Sequence, residues 1–499
     1  MMVLCLALLL LVQLSDGGRI LFLNSWHSKS HARTMMGLAK RLSSRGHEVT
    51  MFNQAFFPFA KDEGKVKMEF SIVPPASVGA DPALVADLFW NKEMVPYEYW
   101  IPNWFSYKFL EQSLNSTVLS TLLGTPYDIA FVDELFTAST GAIALSLRKR
   151  HGTKITIFAT TEMSDMFAQQ RGLSRNPVVV ANQFVKGYNL NYEPDKFFYR
   201  LKNGLEAAIE FIMSHPADWI QRAAGWLLNV ESSFENLYKT SVLTVTDFPR
   251  YFRTPSCTAN NIVPVGESCD VPSPLPDDLG DFLEAPQSKG TIYIAFGSIV
   301  QWDSGPKGLP ETFIRVFNRL TEYRVVWAYN GRPLKDEAGL HVRVLKWAPQ
   351  RDILAHPSTA VFFTHGGIKS LKEGICSSVP MLVLPFFADQ ALIAVSAKNQ
   401  GIADSIYKKN LTEANIEARL RSVLDQREEL QRGVEKYRRY FRDVPRDPLD
   451  VGVQRVERVL RLPEEAILKY ESIRSTDWIS FLYLDVASLL ILAVCVLSL

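Results

Sequence analysis

Residues 361–373 read VFFTHGGIKSLKE, and this run narrows the fold more than any other part of the chain. VFFTH is an apolar stretch of strand length. Gly366-Gly367 end it and open a helix that continues through Lys372 and Glu373. A glycine turn from strand to helix is the basic unit of a layered α/β protein. It leaves free backbone N–H groups at the positive end of the helix, where a pyrophosphate is well held. Glu373 lies about two turns further along, on the same face as Lys369 and Ser370, within reach of ribose hydroxyls. Upstream, Trp347 offers a flat face for a base and Gln350 an amide. Downstream, Asp389-Gln390 pairs a carboxylate with a second amide. The order of these groups, on alternating loops, strands and a helix, suits a nucleotide sugar.

The same alternation recurs along the chain. GRILFLNS (18–25) reads as a buried strand, followed by a helical pattern from about His31 to Ser44 and a second strand at Val49–Phe52. Residues 127–134 and 153–159 repeat it, as do 290–298, 323–329 and 381–387. Such alternation predicts parallel sheets covered by helices. A chain of 499 residues exceeds what one core usually supports, so two domains are expected. The stretch 249–289, rich in Pro, Ser, Gly and Asp, reads as the linker between a first domain at 18–248 and a second at 290–445. A hydrophobic content of 47% with 21% charged residues is that of a folded protein. The formal net charge of +1 supplies no basic excess for counterion release, which argues against nucleic acid as a partner.

Both ends are apolar. Residues 1–17 carry a hydrophobic core, Val3–Leu14, followed by small residues, and read as a secretory signal peptide. The run 478–499 has about the length of a membrane-spanning helix, with Asp485 near one interface, and no Lys or Arg follows Trp478. Of five cysteines, Cys257, Cys269 and Cys376 lie in the body, and Cys257 and Cys269 flank a loop-like stretch that a disulfide could close. Asn115 and Asn410 stand in N-x-[ST] triplets suited to glycosylation.

The segment WAPQ…THGG…E…FFADQ (347–390) resembles the donor signature of the UDP-glycosyltransferases, the family that includes the UDP-glucuronosyltransferases, in an invertebrate-type sequence. The resemblance implies the GT-B fold: two Rossmann-like domains facing a cleft, with return helices at 446–476 ahead of a C-terminal transmembrane helix. It implies that Trp347 stacks on uracil and Gln350 meets the uracil–ribose end. Ser298 and His365, with the helix N-terminus at Gly366-Gly367, would face the diphosphate, Glu373 the ribose, and Asp389 and Gln390 the sugar hydroxyls, with Lys369 and Ser370 also among the UDP-sugar-binding residues. The family often has Asn where this chain has Lys369. Two roles are open to the lysine: a point charge for phosphate, or an i,i+4 partner of Glu373. No cofactor is implied, because the UDP-sugar (UDP-glucuronic acid or UDP-glucose) is a co-substrate. No Asp-x-Asp triplet offers a metal-bound diphosphate clamp. The implied setting is the endoplasmic reticulum membrane, single-pass type I, with lumenal catalytic domains and a possible homo-oligomer. Family members usually end in a short basic cytosolic tail.

A hydroxyl acceptor needs a base, and the base needs an orienting partner. The resemblance assigns these to His31, in Ser30-His31 before the first helix, and Asp133, in FVDE at a strand end. Their roles follow the Ser-His-Asp logic with the acceptor replacing serine, and in-line attack inverts the anomeric carbon. His27 is the rival base, His47 reads as structural, and Glu134 should point to the opposite strand face from Asp133. The leading expectation is transfer of a hexosyl group to small lipophilic acceptors. A UDP-glucose-dependent transferase of lipid or protein, and a non-catalytic UDP-sugar-binding relative, stand beside it.

Overall fold

The computed structural model of the chain describes residues 17–79, 87, 89–92, 100–162, 193, 195–250 and 261–467, with positions 488–489, 491–492 and 495–496. The first sheet contains β1 (Arg19–Asn24), β2 (Glu48–Ala55), β3 (Val66–Ile72), β4 (Ile129–Asp133), β5 (Lys154–Ala159), β6 (Ser241–Thr246) and β7 (Ile262–Pro264). Its strands lie in the order β3-β2-β1-β4-β5-β6-β7. The second contains β8 (Thr291–Ala295), β9 (Arg324–Ala328), β10 (Val342–Leu345), β11 (Thr359–Thr364), β12 (Met381–Val383) and β13 (Ala403–Ser405), in the order β10-β9-β8-β11-β12-β13. Ile20 pairs with Val49 on one side and Ile129 on the other, all parallel, and Phe363 with Ile294 and Leu382 likewise. Strands covered on both faces must be apolar throughout, which is why β1, β4 and β11 are near-continuous hydrophobic runs.

In both sheets the chain order reverses beside the first strand, so the switch points lie between β1 and β4 and between β8 and β11. A ligand site belongs at the carboxyl ends of those strands. The helix Lys29–Ser44 starts there. Met35, Leu38, Ala39 and Leu42 turn inward at helical spacing. The turn into it holds two successive non-glycine residues in the left-handed region, Trp26 (φ 54°) and His27 (φ 50°). Such backbone costs about 1–3 kcal/mol per residue and persists only where its surroundings fix it.

The chain returns to the first sheet at its end. In the helix Pro448–Arg461, Leu449, Val453, Val456 and Val459 share a core with Met35, Leu38 and Ile20. Proline at the first position and the Asp447 carboxylate, which accepts from Leu449 N–H at 2.8 Å, start that helix. Arg41 then pairs with both Asp447 and Asp450.

Two features differ from the sequence reading. The stretch 249–289 is not all linker: β7 inside it extends the first sheet beside β6, and the helix Asp277–Leu283 packs Leu279 and Leu283 into the core of the second. The cysteine pairing also differs. Cys269 is bonded to Cys376, 107 residues later, with Cα atoms 5.6 Å apart, so it is not available to Cys257, which lies outside the described residues. The partner is the C-terminal residue of the helix that begins at the glycine turn, and the disulfide ties that helix to the connection between domains. Among the described residues no helix is long and apolar enough to cross a membrane. Residues 1–16 of the expected signal segment 1–17, and most of 478–499, lie outside them.

Candidate active site and nucleotide cleft

The first switch point brings together His31, in the first turn of its helix, and Asp133, the last residue of β4. Their Nδ1 and Oδ2 atoms are 2.7 Å apart, and both residues are buried. Thr160, just past the end of β5, completes the cluster. Its Oγ1 lies 2.8 Å from His31 Nδ1 and 3.1 Å from Asp133 Oδ1. One proton arrangement satisfies all three contacts. The imidazole Nδ1–H is shared between carboxylate and hydroxyl, and the threonine O–H donates to the other carboxylate oxygen. Leu135 N–H also donates to Asp133 Oδ1, at 3.3 Å. The tautomer is therefore fixed with Nε2 as the basic nitrogen, the arrangement a general base requires. Sequence reasoning missed Thr160. Its only signal is a hydroxyl residue at the carboxyl end of the strand next to Asp133.

The rivals separate clearly. His27 sits among Phe56, Phe57 and Phe59, with ring centroids at 5.4, 4.3 and 5.3 Å. Burial, with Lys29 nearby, pushes its pKa down to about 4, so it is neutral at physiological pH and a weak base. His47 accepts from Gly18 N–H at 3.0 Å, a structural role. Glu134 is buried where the chain leaves β4 for a 3-10 turn.

The second switch point carries the glycine turn. Gly366 has φ 78°, and a Cβ there would lie 2.5 Å from Val383 Cγ1. The helix Ile368–Cys376 follows, its first N–H groups free of intrahelical partners. His365 is wedged beside this turn: a Cβ on Gly367 would come within 2.6 Å of its Nε2, and one on Gly297 (φ 72°) within 3.0 Å of its Cε1. Burial lowers its pKa to about 4, against an opposing hydrogen bond to the Ala295 backbone. His365 is thus neutral at pH 7 and brings no positive charge to a phosphate. The cation here is Lys369. Its ammonium is destabilised first by burial, and Arg33 and Lys372 push the same way against Glu373 and Asp247. Lys372 is neutralised by Asp247, 2.6 Å away at the end of β6 in the other domain. Lys369 has no such ion pair among the described residues, and an arriving anion would relieve it.

Glu373 is engaged elsewhere. Gln350 Nε2 donates to its carboxylate at 2.5 Å and to Ser370 Oγ at 3.3 Å, and Tyr293 O–H reaches Gln350 Oε1 at 3.4 Å. Trp347 is 65% exposed, and Arg33 of the first domain lies over its ring at 4.7 Å. Ser298 is exposed on the loop after β8. Asp389 is buried and faces the first domain: Glu162 N–H donates to it at 3.4 Å, and the His31 charge acts on it. Burial raises its carboxyl from 3.8 to about 6. The Oε1 of Gln390 accepts from Phe386 and Phe387 N–H at 2.9 and 3.3 Å, which leaves only its amide N–H groups for a ligand. The residues expected to meet the donor thus come from the carboxyl side of the second sheet, and the Arg33–Trp347, Lys372–Asp247 and Glu162–Asp389 contacts bring that side against the domain that carries the His31 cluster.

Comparisons with known proteins identify the family and the fold. The chain is 27% identical over 507 residues to UDP-glycosyltransferase UGT4 of Dactylopius coccus, spanning 96% of this chain and 92% of that one. It is 33% identical over 220 residues to a UDP-glucuronosyltransferase of Pleuronectes platessa, a match that spans 45% of the relative. Its fold matches the spinosyn forosaminyltransferase SpnP with a TM-score of 0.57 at 18% identity, over 89% of this chain and all of that one. The family model for "UDP-glucoronosyl and UDP-glucosyl transferase" matches residues 19–499. The chain belongs to that family of GT-B glycosyltransferases, which take a UDP-sugar as co-substrate.

Proposed function

We propose that this protein transfers a hexosyl group from a UDP-sugar to the hydroxyl of a small lipophilic acceptor, with inversion. The observation that carries the reading is the buried His31–Asp133–Thr160 cluster, with Nδ1 tied and Asp389 of the donor half nearby. His31 Nε2 takes the acceptor proton as the oxygen bonds to the anomeric carbon. The bond from that carbon to the diphosphate oxygen breaks, and its electron pair leaves with UDP. Asp133 steadies the imidazolium that forms. Lys369 and the helix N–H groups after Gly366 meet the charge on the leaving group. The aromatic wall beside the base supports a lipophilic acceptor: Phe136 lies 5.0 Å from the His31 ring, and Trp26 stacks on Phe105 at 5.2 Å.

The setting we propose is the lumen of the endoplasmic reticulum, with the 478–499 run as membrane anchor. The Cys269–Cys376 disulfide suits an oxidising compartment. The sequon residues Asn115 and Asn410 are exposed at chain turns, where a glycan can be attached. Assays of the purified protein with UDP-glucose and UDP-glucuronic acid on a panel of phenols test the reading. β-Linked products from the α-linked donor support it. α-Linked products contradict inversion, and UDP binding without transfer to any acceptor favours the non-catalytic alternative.

A further inference from the structure

Residues 89–92 precede β4 and belong by chain order to the first domain, yet they pack into the second. Trp90 is buried in the core that holds Ile294, Trp327 and Phe363. Its ring lies 5.4 Å from that of Trp302 and 4.8 Å, edge-on, from that of Phe386. Its Nε1–H donates to Gln301 O at 2.9 Å. A Cβ on Gly305 would meet the indole at 2.9 Å, so the 302–305 turn is shaped to admit it. Phe89 stacks on Phe387 at 4.1 Å.

A buried lysine closes this contact. Lys408, just beyond β13, sends its ammonium to the carbonyls of Phe89 at 2.8 Å, Phe386 at 2.9 Å and Lys92. An ammonium has three N–H groups, and here each has a carbonyl, two from the strap and one from the second domain. Phe386 and Phe387 lead through Ala388 (φ 54°) directly into Asp389 and Gln390. The loop that carries the sugar-facing pair is therefore pinned from two sides. Gln390 caps its N–H groups from within, while Lys408 and the strap hold its carbonyl and aromatic face from outside. A hydrophobic side chain would fill the same volume without desolvating a charge, so stability alone gives little reason for a buried lysine here.

We propose that Lys408 and the 89–92 strap are positioning elements for the donor sugar: they set the 386–390 loop, so the acceptor domain tunes sugar recognition in the domain opposite. The inference rests on the reading that Asp389 and Gln390 meet the sugar. It separates the sugar from the nucleotide, because the strap touches nothing in the Trp347–Gln350–Glu373 group among the described contacts.

The test uses the full chain with Lys408→Met and, as a milder change that keeps the ring packing, Trp90→Phe. For Lys408→Met, KM for the UDP-sugar should rise about tenfold or more, the worth of one lost charge-assisted hydrogen bond, while Kd for UDP alone stays within about twofold. Trp90→Phe should shift the same way by less, and its retained UDP affinity reports an intact fold. An unchanged KM in both variants, or an equal loss of UDP and UDP-sugar affinity, overturns the proposal. An Asp389→Asn variant with wild-type KM for the UDP-sugar sinks the sugar-loop reading itself, whatever Lys408 does.

Discussion

The two walls of the cleft are prepared to different degrees. On the acceptor wall, His31, Asp133 and Thr160 are buried and satisfy one another through short hydrogen bonds before any ligand arrives. On the donor wall, Trp347 and Ser298 stand exposed and Lys369 is a half-buried cation with no ion pair among the described residues, while Gln350, Ser370 and Glu373 hold one another and Gln390 caps its own loop. The difference follows from what each wall must do. A base works only if its tautomer and direction are set in advance, since misorientation is lost rate. A binding site gains from groups that water or a weak contact holds and the ligand can replace.

The comparison breaks first at Asp133. If the acceptor wall is prearranged, Asp133→Asn should keep its shape but free the imidazole to take the wrong tautomer, lowering kcat about 10³–10⁴-fold. UDP affinity, measured by calorimetry, should not move if the nucleotide meets the other wall. A comparable loss of UDP binding would show that the two walls are one unit.

Glu373→Ala sharpens the donor side. Ribose hydroxyls would lose a charged acceptor worth roughly 1.5–3 kcal/mol, read by the same calorimetry, with Gln350 left without its closest partner. Unchanged UDP affinity would mean that Gln350 keeps the carboxylate to itself.

Asp389 adds a dependence on pH. Its pKa is raised in the fold from 3.8 to about 6, so the folded protein retains a proton that the unfolded chain has lost between those values. Burying this carboxyl is neutral to stability below 3.8, weakens the fold progressively as pH rises towards 6, and reaches its full effect above that. Asp389→Asn should therefore raise stability at pH 7 by on the order of 2–3 kcal/mol and leave it unchanged in acid, as urea melts at several pH values would show. A gain that did not depend on pH would contradict the buried-carboxyl account.

Lys369→Asn should have the smallest effect, a loss of UDP affinity below about tenfold with a weaker dependence on salt, because one screened charge pair is removed. Tighter binding would mean that the lysine had been competing for Glu373 after all.

How much of this was legible in the sequence follows from the range of the interactions. Strand–helix alternation and the glycine turn are local, and they put His31 and Asp133 at the carboxyl end of the first sheet and Ser370 and Glu373 on the helix after the turn, as the structure has them, while the roles came from the family resemblance. What escaped depends on pairing across the fold. Thr160 carries no local mark beyond a strand end. Arg33 over Trp347 and Lys408 on the strap join distant segments from opposite domains, and nothing near either residue points to its partner. Three body cysteines allowed several pairings, and the apparent neighbours Cys257 and Cys269 were the wrong pair because the glycine-turn helix folds its far end against Cys269. β7 was hidden because three residues, the last of them Pro264, give no periodicity.

The central claim, a base prearranged on one wall and a nucleotide received on the other, is tested most directly with His31→Ala. Turnover and the Kd for UDP are measured on the same preparation. With the base lost, kcat should fall about 10²–10⁴-fold with UDP affinity unchanged. Wild-type turnover in that variant would move the base elsewhere, with His27 the first residue to examine.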